Sequence, residues 1–335
     1  MTVENGPASI RTVPGSAVTG TSHLIHRAPV GDRYFLQAPS LGEENFSLAA
    51  ELPVDHPLFN DNSGVFHDML VATETIREVG EFIGHRYFSI PEDRPGLFYQ
   101  FTLTVTDASA WRADPVRDAD PVPLTSHIRA RPANVVNDVP RGLDFQLDVS
   151  VADARCAEGT ARLVFLNSNV HRKHVEHTRR ATLSTPELDD SPDGPLVPVD
   201  PAETGRRSAR NVVISEPMRA AQGWLTSWLL TENVDPVFDT ASGQLTALHL
   251  LEALRQSSLV AAGRAHGLRA ESSTLGSIQV HFRGQAELDL PLRCVAVAGP
   301  LGHDAEGRSS VPVTLTVTQR RRSVAEARTV VIQDH

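Results

Sequence analysis

The sequence predicts an α+β fold that is built twice, each repeat consisting of one long helix enclosed by antiparallel strands. Three observations predict it. Each half contains one segment with helical spacing of apolar residues, each helix is flanked by segments of alternating apolar residues, and a short motif recurs at a nearly constant distance. The chain has 335 residues, enough for two domains of ordinary size.

In the first half, five segments alternate apolar and polar residues, which is typical of half-buried strands. They are Tyr34–Leu36, Phe46–Leu52, Phe98–Val105, Leu143–Val151 and Ala161–Leu166. Between the second and the third of them, residues His67–Phe88 place apolar side chains at helical spacing, which predicts the first helix. Residues 1–22 lack any apolar period and predict a flexible tail, so the first repeat is expected to span residues 23–180.

Residues 181–207 are crowded with Pro, Asp, Gly, Ser and Thr, which is typical of a surface linker or a long crossover. The second repeat, residues 208–335, follows the order of the first: a strand at Ala221–Leu230, then a helix at Gln244–Ala265. Four further strands are predicted at Leu275–Phe282, Leu288–Ala298, Val311–Thr318 and Ala327–Ile332.

Both halves contain an x-Pro-x-Phe turn followed by a helix that carries Glu-x-x-Arg. The turns are His56-Pro57-Leu58-Phe59 and Asp235-Pro236-Val237-Phe238, and the helix pairs are Glu74 with Arg77 and Glu252 with Arg255. The helix motifs are 178 residues apart and the turns 179. This predicts an internal duplication. Because a sheet wrapped around a central helix is the hotdog arrangement, the predicted fold is a double hotdog whose two sheets pair edge to edge.

Composition excludes several classes of protein. A formal net charge of −10 disfavours nucleic-acid binding, and no apolar run approaches the roughly 18 residues of a membrane span. Without a secretion signal, the chain is expected to be cytoplasmic. Its two cysteines, Cys156 and Cys294, provide neither a disulfide framework nor a cysteine-rich zinc site.

The basic residues narrow the chemistry further. Lys173 is the single lysine, which disfavours Schiff-base chemistry and phosphate-binding P-loops and leaves arginine as the cation for an anionic substrate. His171, His174 and His177 only loosely resemble metal-ligand spacing, so we expect neither a metal nor a cofactor. Arg320-Arg321-Arg322 is expected to be a solvated run between two strands.

The strongest candidate residues lie on the predicted helices. Glu252 and Arg255 share a face with Leu248 and Leu259, and an acid and an arginine are costly to bury there unless they are paired or used. A structural ion pair or a solvated seam is the alternative interpretation. Because the pair recurs at Glu74 and Arg77, the sequence favours a role that the fold requires in both repeats. Duplication of a purely structural ion pair would give the same pattern.

His56 suits general acid–base chemistry, whereas the alternative is a surface or core histidine. The second repeat has Asp235 in its place. If the turn of one repeat faces the helix of the other, His56 lies near Glu252, and the chain has one complete site and one degenerate site.

Four short segments, taken in order, carry a resemblance to known proteins: Leu24-Ile25-His26-Arg27, Asp55-His56-Pro57-Leu58-Phe59, Glu74-Thr-Ile-Arg77-Glu78 and Leu251-Glu252-Ala-Leu-Arg255-Gln256. The last segment resembles the central helix of hotdog hydroxyacyl-carrier-protein dehydratases. More closely, the chain from His23 onwards resembles the AfsA-type A-factor biosynthesis proteins, the γ-butyrolactone (and related furan or butenolide) autoregulator synthases.

That resemblance implies an acyltransferase of secondary metabolism. It condenses a β-ketoacyl thioester, carried on acyl carrier protein or coenzyme A, with the hydroxyl of dihydroxyacetone phosphate, and the product leads to a butenolide signalling molecule. The resemblance places functional residues at Glu74, Glu252 and Arg255. Glu78 departs from the family pattern, which favours Gln there.

From this chemistry we expect Glu252 to act as base, helped by His56, and Arg255 with Arg77 to bind the phosphate. Backbone N–H groups of residues 64–66 or 242–244 are expected to hold the thioester oxygen. The alternatives are a hotdog thioesterase or dehydratase, and a non-catalytic ligand-binding protein. The protein is expected to be a monomeric pseudo-dimer or a homodimer that binds neither nucleic acid nor membrane.

Overall fold

The computed structural model describes residues 40–42, 44–52, 56–113, 122–185, 192, 194–220, 222–238 and 245–334. In this part of the chain, thirteen strands form one sheet and two long helices are buried against it. None of the described helices combines the length and the apolar character that a membrane crossing requires. The predicted strand at Tyr34–Leu36 lies outside the described residues.

The first repeat contains six strands and one long helix. They are β1 (Ser40–Gly42), β2 (Asn45–Glu51), α1 (Leu70–Tyr87), β3 (Gly96–Val105), β4 (Pro123–Val136), β5 (Val139–Val151) and β6 (Ala154–Phe165). The sequence did not predict β4. Its inward positions include Ser126 and Ala130, so its alternation is weak in apolar character.

Two helices connect the repeats, α2 (Ser168–Ser184) and α3 (Pro201–Thr204). The sequence did not predict α2. Only Thr178 and Thr182 of this helix are buried, so it has no apolar stripe that would mark it as a helix. The short α3 begins at the capping residue Asp200, ends at Gly205 with a φ of 70°, and packs on the central helix of the second repeat.

The second repeat has the same order of elements. They are β7 (Met218–Arg219), β8 (Leu225–Trp228), α4 (Ala247–His266), β9 (Ser273–Phe282), β10 (Arg293–Ala298), β11 (Gly302–His303), β12 (Ser309–Gln319) and β13 (Arg322–Gln333). The predicted strand at Ala221–Leu230 is shorter in the structure, because only residues 225–228 pair within a strand.

The sheet order confirms the duplication. From the centre outwards the first repeat runs β3, β6, β5, β4, β2, β1, and the second runs β9, β13, β12, β10, β8, β7. The repeats join where β3 pairs antiparallel with β9. The residue 178 positions after Gln100 is Ile278, and the residue 178 positions before His281 is Leu103. The pairs Gln100–His281 and Leu103–Ile278 are therefore equivalent, as a two-fold axis at this junction requires. The chain is a double hotdog.

The two central helices have no solvent face. Every residue of α4 from Leu248 to Ala262 is buried, and in α1 the residues from Leu70 to His85 are buried except Arg77. Side chains just before each helix cap its first turn: Asp68 accepts from the Leu70 N–H at 2.9 Å, and Thr246 accepts from the His249 N–H at 3.0 Å. Any charged residue in the middle of α1 or α4 is therefore held inside the protein.

Candidate active site

Glu252 lies in the second turn of α4 with no exposed surface and accepts five hydrogen bonds. Arg206 and Arg255 each bind the carboxylate through two nitrogens, at 2.6–2.8 Å and 2.8–2.9 Å. The fifth donor is the Gln256 side-chain amide at 2.6 Å. Burial raises the pKa of a carboxyl, but here the two guanidinium groups outweigh it and hold the pKa of Glu252 at about 2.

This environment opposes the predicted role of Glu252 as a base. A carboxylate offers about four lone-pair positions, and five donors already occupy this one. A pKa near 2 also leaves little affinity for a proton at neutral pH. The geometry instead suits an anchor that fixes two arginines.

Arg206 is the residue that sequence reasoning missed. It falls in the segment 181–207, predicted as a surface linker, yet it is only 1% exposed. Besides Glu252, it donates to Asp68 at 2.6 Å and to the Leu58 carbonyl at 2.7 Å. Burial lowers the pKa of a guanidinium, but Glu252 and Asp68 more than reverse this and raise the pKa of Arg206 above its ordinary value. Because Asp68 caps α1, Arg206 ties the first repeat to the second.

Arg255 holds Glu252 and also donates from Nη2 to the Thr204 carbonyl at 3.0 Å. Its side chain is 10% exposed. Within the described part of the chain, Nη1 has no hydrogen-bond partner. Gly205 lies beside this nitrogen, and a Cβ built there would be 3.6 Å from Nη1. Arg255 is therefore fixed by its neighbours with one donor nitrogen left for a ligand.

The first repeat contains the same acid–arginine pair, but with a second acid beside the arginine. Arg77 binds Glu74 through Nε at 2.8 Å and Nη2 at 2.5 Å, and the same Nη2 lies 3.6 Å from Glu78. Both acids are fully buried, and the Arg77 side chain is 12% exposed. Burial lowers the pKa of Arg77, but Glu74 and Glu78 more than compensate and raise it above its ordinary value. Two carboxylates thus share one guanidinium nitrogen.

Glu78 occupies the position of Gln256, and the two residues differ in chemistry. In the second repeat, the Gln256 amide donates to Glu252 and to the Asn211 carbonyl, and its oxygen accepts from the Val213 N–H at 3.0 Å. A glutamate carboxylate has no N–H to donate. The first repeat therefore replaces a neutral crosslink by a second buried acid.

His56 has a structural task in its turn. Its Nδ1 accepts the N–H groups of Leu58 at 3.2 Å and Phe59 at 3.1 Å, and its ring stacks on Phe59 with centroids 4.3 Å apart. Asp235 does the same work in the second repeat, where its carboxylate accepts the Val237 N–H at 3.0 Å. Since Nδ1 accepts both bonds, the ring proton is assigned to Nε2.

The turn that contains His56 does face the helix of the other repeat. The contact runs through two groups: the Leu58 carbonyl accepts from Arg206, and Arg206 holds Glu252. Asn211, in the segment after Arg206, also donates to the Pro57 carbonyl at 2.7 Å. The structure thus brings His56, Glu252 and Arg255 into one region, with Arg206 between the histidine and the acid.

The predicted backbone donors for the thioester oxygen are partly occupied. The Gly64 N–H donates to the Asn62 side chain at 3.0 Å, and the Val65 N–H donates to the Glu271 carbonyl at 3.1 Å. The other candidate segment, residues 242–244, lies outside the described residues. Among the residues that are described, no group of three or more His, Cys, Asp or Glu side chains has the arrangement of a metal site.

These features define a double-hotdog protein with an acid–arginine pair buried on each central helix. The AfsA family, described as the A-factor biosynthesis hotdog domain, matches residues 11–167 and 188–332, and the chain belongs to this family. The 2-oxo-3-(phosphooxy)propyl 3-oxoalkanoate synthase of Streptomyces coelicolor is 25% identical over 319 residues, which cover 92% of this chain and 91% of that protein. The protein of the same name from Streptomyces virginiae is 26% identical and covers 87% of this chain and 90% of its own length.

Among solved structures, that of a candidate oleoyl thioesterase from Lactobacillus plantarum is similar to the whole arrangement. It gives a TM-score of 0.52 and covers 86% of this chain and 96% of its own, with 12% sequence identity. At this level of identity the similarity establishes a shared fold and nothing about substrate.

Proposed function

We propose that the protein is an acyltransferase that moves a β-ketoacyl group from a thioester to the hydroxyl of dihydroxyacetone phosphate. The relatives are named as synthases of the corresponding product, a 2-oxo-3-(phosphooxy)propyl 3-oxoalkanoate. One observation on this chain carries the proposal. Arg255 is held by Glu252 and Thr204 with Nη1 remaining as a donor, and a fixed guanidinium is well suited to bind a phosphate group.

The transfer requires one bond to form and one to break. The hydroxyl oxygen of dihydroxyacetone phosphate bonds to the thioester carbonyl carbon, and the carbon–sulfur bond breaks. The hydroxyl proton passes to a base on the protein, and the departing sulfur takes up a proton and leaves as a thiol. The acyl donor is a thioester of acyl carrier protein or of coenzyme A.

We assign the base to Glu74 on α1 rather than to Glu252 on α4. On α4 the carboxylate of Glu252 serves as an anchor for Arg206 and Arg255, because its pKa is held at about 2. On α1, Glu74 binds Arg77 through both of its carboxylate oxygens, and Glu78 places a second carboxylate beside the same guanidinium nitrogen. A second acid close by makes a carboxylate bind a proton more readily, which is the property that a base at neutral pH needs.

The activity test uses a β-ketoacyl thioester with and without dihydroxyacetone phosphate, followed by mass spectrometry of the product and by thiol release. We expect the phosphorylated ester only when both substrates are present, and thiol release that depends on the phosphate substrate. Release that ignores dihydroxyacetone phosphate contradicts the proposal in favour of a thioesterase. Binding of a butyrolactone without any turnover contradicts it in favour of a ligand-binding protein.

The role of Arg255 is tested by comparing dihydroxyacetone phosphate with unphosphorylated dihydroxyacetone. The native protein is expected to prefer the phosphorylated acceptor, and Arg255→Met is expected to lose most of that preference. Arg269→Met is the matched control, because Arg269 is 67% exposed and pairs only with Glu271 at the surface among the described residues. An Arg255→Met variant that keeps the full preference removes Arg255 from phosphate binding.

A further inference from the structure

One face of this acidic protein is basic. It consists of α2 and the end of the second repeat beside it, and we call it the basic face. In residues 168–184, 283–289 and 319–326, which the structure describes, there are eight basic residues and four acidic ones. The basic residues are Arg172, Lys173, Arg179, Arg180, Arg283, Arg320, Arg321 and Arg322, and the acidic ones are Glu176, Glu287, Asp289 and Glu326. In a chain with a net charge of −10, this local excess of positive charge runs against the overall composition.

Hydrogen bonds hold α2 against the β12–β13 hairpin. Arg322 donates to the Thr178 carbonyl at 2.9 Å, and Arg320 donates to the Leu183 carbonyl at 3.2 Å. The run 320–322 was expected to be solvated, but its first and last arginines fasten the hairpin to the helix. The charges on α2 and on the hairpin therefore belong to one surface.

Some of the outward charges of the basic face are paired, and others have no ion pair among the residues that the structure describes. Arg179 pairs with Glu287 and Asp289, and Arg283 pairs with Glu326, which accounts for most of the acids nearby. Lys173, Arg180 and Arg321 are exposed, and none of them forms an ion pair with any residue that the structure describes. These three side chains are available to an acidic partner.

The basic face also contains a cavity of about 60 Å³ between α2 and the hairpin. His174, Thr178, Arg283, Gln285, Arg322 and Ser323 are among its lining residues. Nearly all of them carry hydrogen-bond donors, and a space of this size accommodates several water molecules or a small acidic group. The face is thus concave and polar at its centre, with positive charge around it.

The basic face is connected to the helix that carries the site. Arg179 of α2 binds Glu287, and the neighbouring Ala286 carbonyl accepts from the Leu245 N–H, directly before the capping residue of α4. Arg255 lies eight residues after Ala247, the first residue of α4, which is about 12 Å along the helix axis at the rise of an α-helix. Hydrogen bonds therefore link the basic face to the start of the helix that carries Arg255.

We propose that the basic face is the docking surface for an acidic acyl carrier protein that delivers the β-ketoacyl group. This inference rests on the proposed function for the identity of the cargo. Charge complementarity selects the occupant, since carrier proteins of this class are small and acidic, and a basic face attracts them and orients them. A coenzyme A thioester needs no such extended surface.

The test is a charge-reversal variant, Lys173→Glu, Arg180→Glu and Arg321→Glu together. Its matched control reverses the exposed Arg129, Arg131 and Arg219, which lie on β4 and β7 towards the two ends of the sheet and change the net charge equally. With a β-ketoacyl acyl carrier protein of a type II fatty-acid synthase as donor, kcat/KM is expected to fall at least about tenfold in the first variant and to change little in the control. With a β-ketoacyl N-acetylcysteamine thioester, both variants are expected to match the native protein.

Direct titration of the same carrier protein onto the native chain and the two variants separates this proposal from the proposed function. Weaker binding by the first variant alone supports the docking surface even if no acyl transfer is detected. The difference in affinity from the native chain is expected to shrink as the salt concentration rises. Equal binding by both variants overturns it. Equal losses with both donors also overturn it, because damage to the site itself then explains the effect.

Discussion

The two central helices carry the same pair of residues in two different electrostatic settings. On α4, Glu252 is shared by Arg206 and Arg255 and is crosslinked by the neutral Gln256. On α1, Arg77 is shared by Glu74 and Glu78. The second repeat thus surrounds one acid with two cations, whereas the first surrounds one cation with two acids. Duplication copied the geometry, and the residue after the arginine, Gln256 on α4 and Glu78 on α1, sets the local balance of charge.

The largest effect is expected from Arg206→Ala. This change leaves Glu252 and Asp68 without their shared cation while both stay buried, so we expect the free energy of unfolding to fall by about 3–5 kcal/mol. Urea unfolding measures the loss. The control is Arg207→Ala at the exposed neighbouring position, which is expected to change the stability by less than about 0.5 kcal/mol. Similar values for the two variants would mean that Arg206 does not hold the repeats together.

Glu252→Gln is the next test, since it removes the charge and keeps the shape. The folded pKa of about 2 lies below the ordinary value of 4.5, so the carboxylate stabilises the fold above pH 4.5 and loses that contribution as the pH falls towards 2. We expect the variant to be less stable by about 3 kcal/mol at pH 7 and the gap to narrow on acidification. A gap that is constant between pH 7 and pH 3 contradicts the anchor role.

Acyl transfer should also be lost in folded Glu252→Gln, because Arg255 loses the partner that fixes it. Product formation at a pH where the variant remains folded checks this expectation. Full activity there would exclude Glu252 from the mechanism altogether.

Glu78→Gln converts the first repeat to the pattern of the second. Glutamine occupies the equivalent position as Gln256 and is the residue that the family pattern favours at position 78, so the variant is expected to fold normally and to keep acyl transfer. The acid limb of its pH profile is expected to move to lower pH, because Glu74 loses the negative charge of Glu78 beside it. The reciprocal variant Gln256→Glu is the control. It places a second acid beside Glu252 and breaks the bond to the Asn211 carbonyl, so the free energy of unfolding is expected to fall. Loss of acyl transfer in a folded Glu78→Gln variant would instead assign the base to Glu78, and an unchanged pH profile would place the base outside α1.

The sequence contained most of the fold, for a simple physical reason. Strands of alternating polarity leave a periodic signal, and the central helices are long segments rich in apolar residues. The repeated Glu-x-x-Arg motif predicted the duplication, and the edge-to-edge pairing was expected from it. The helix α2 left no such signal, because its residues are mostly exposed and charged.

The site was less predictable than the fold. The pairing of Glu252 with Arg255 follows from helical spacing, but Arg206 lies 46 residues away in a segment without any period. Arg206 brings a second positive charge next to Glu252. With two cations beside it, the pKa of Glu252 is lowered more than burial raises it, which the sequence alone could not show. The change from Gln256 to Glu78 was visible in the sequence, but its meaning depends on Gln256 being a crosslink, which only the structure shows.

The smallest effect is expected at His56, where the two repeats offer a direct exchange. His56 and Asp235 both accept backbone N–H groups of the turn that follows, so His56→Asp should keep the cap and leave both stability and acyl transfer nearly unchanged. His56→Ala removes the acceptor and is expected to cost about 1 kcal/mol in thermal or urea unfolding. A large loss of acyl transfer in a stable His56→Asp variant would instead place the imidazole among the reacting groups and make the two turns chemically different.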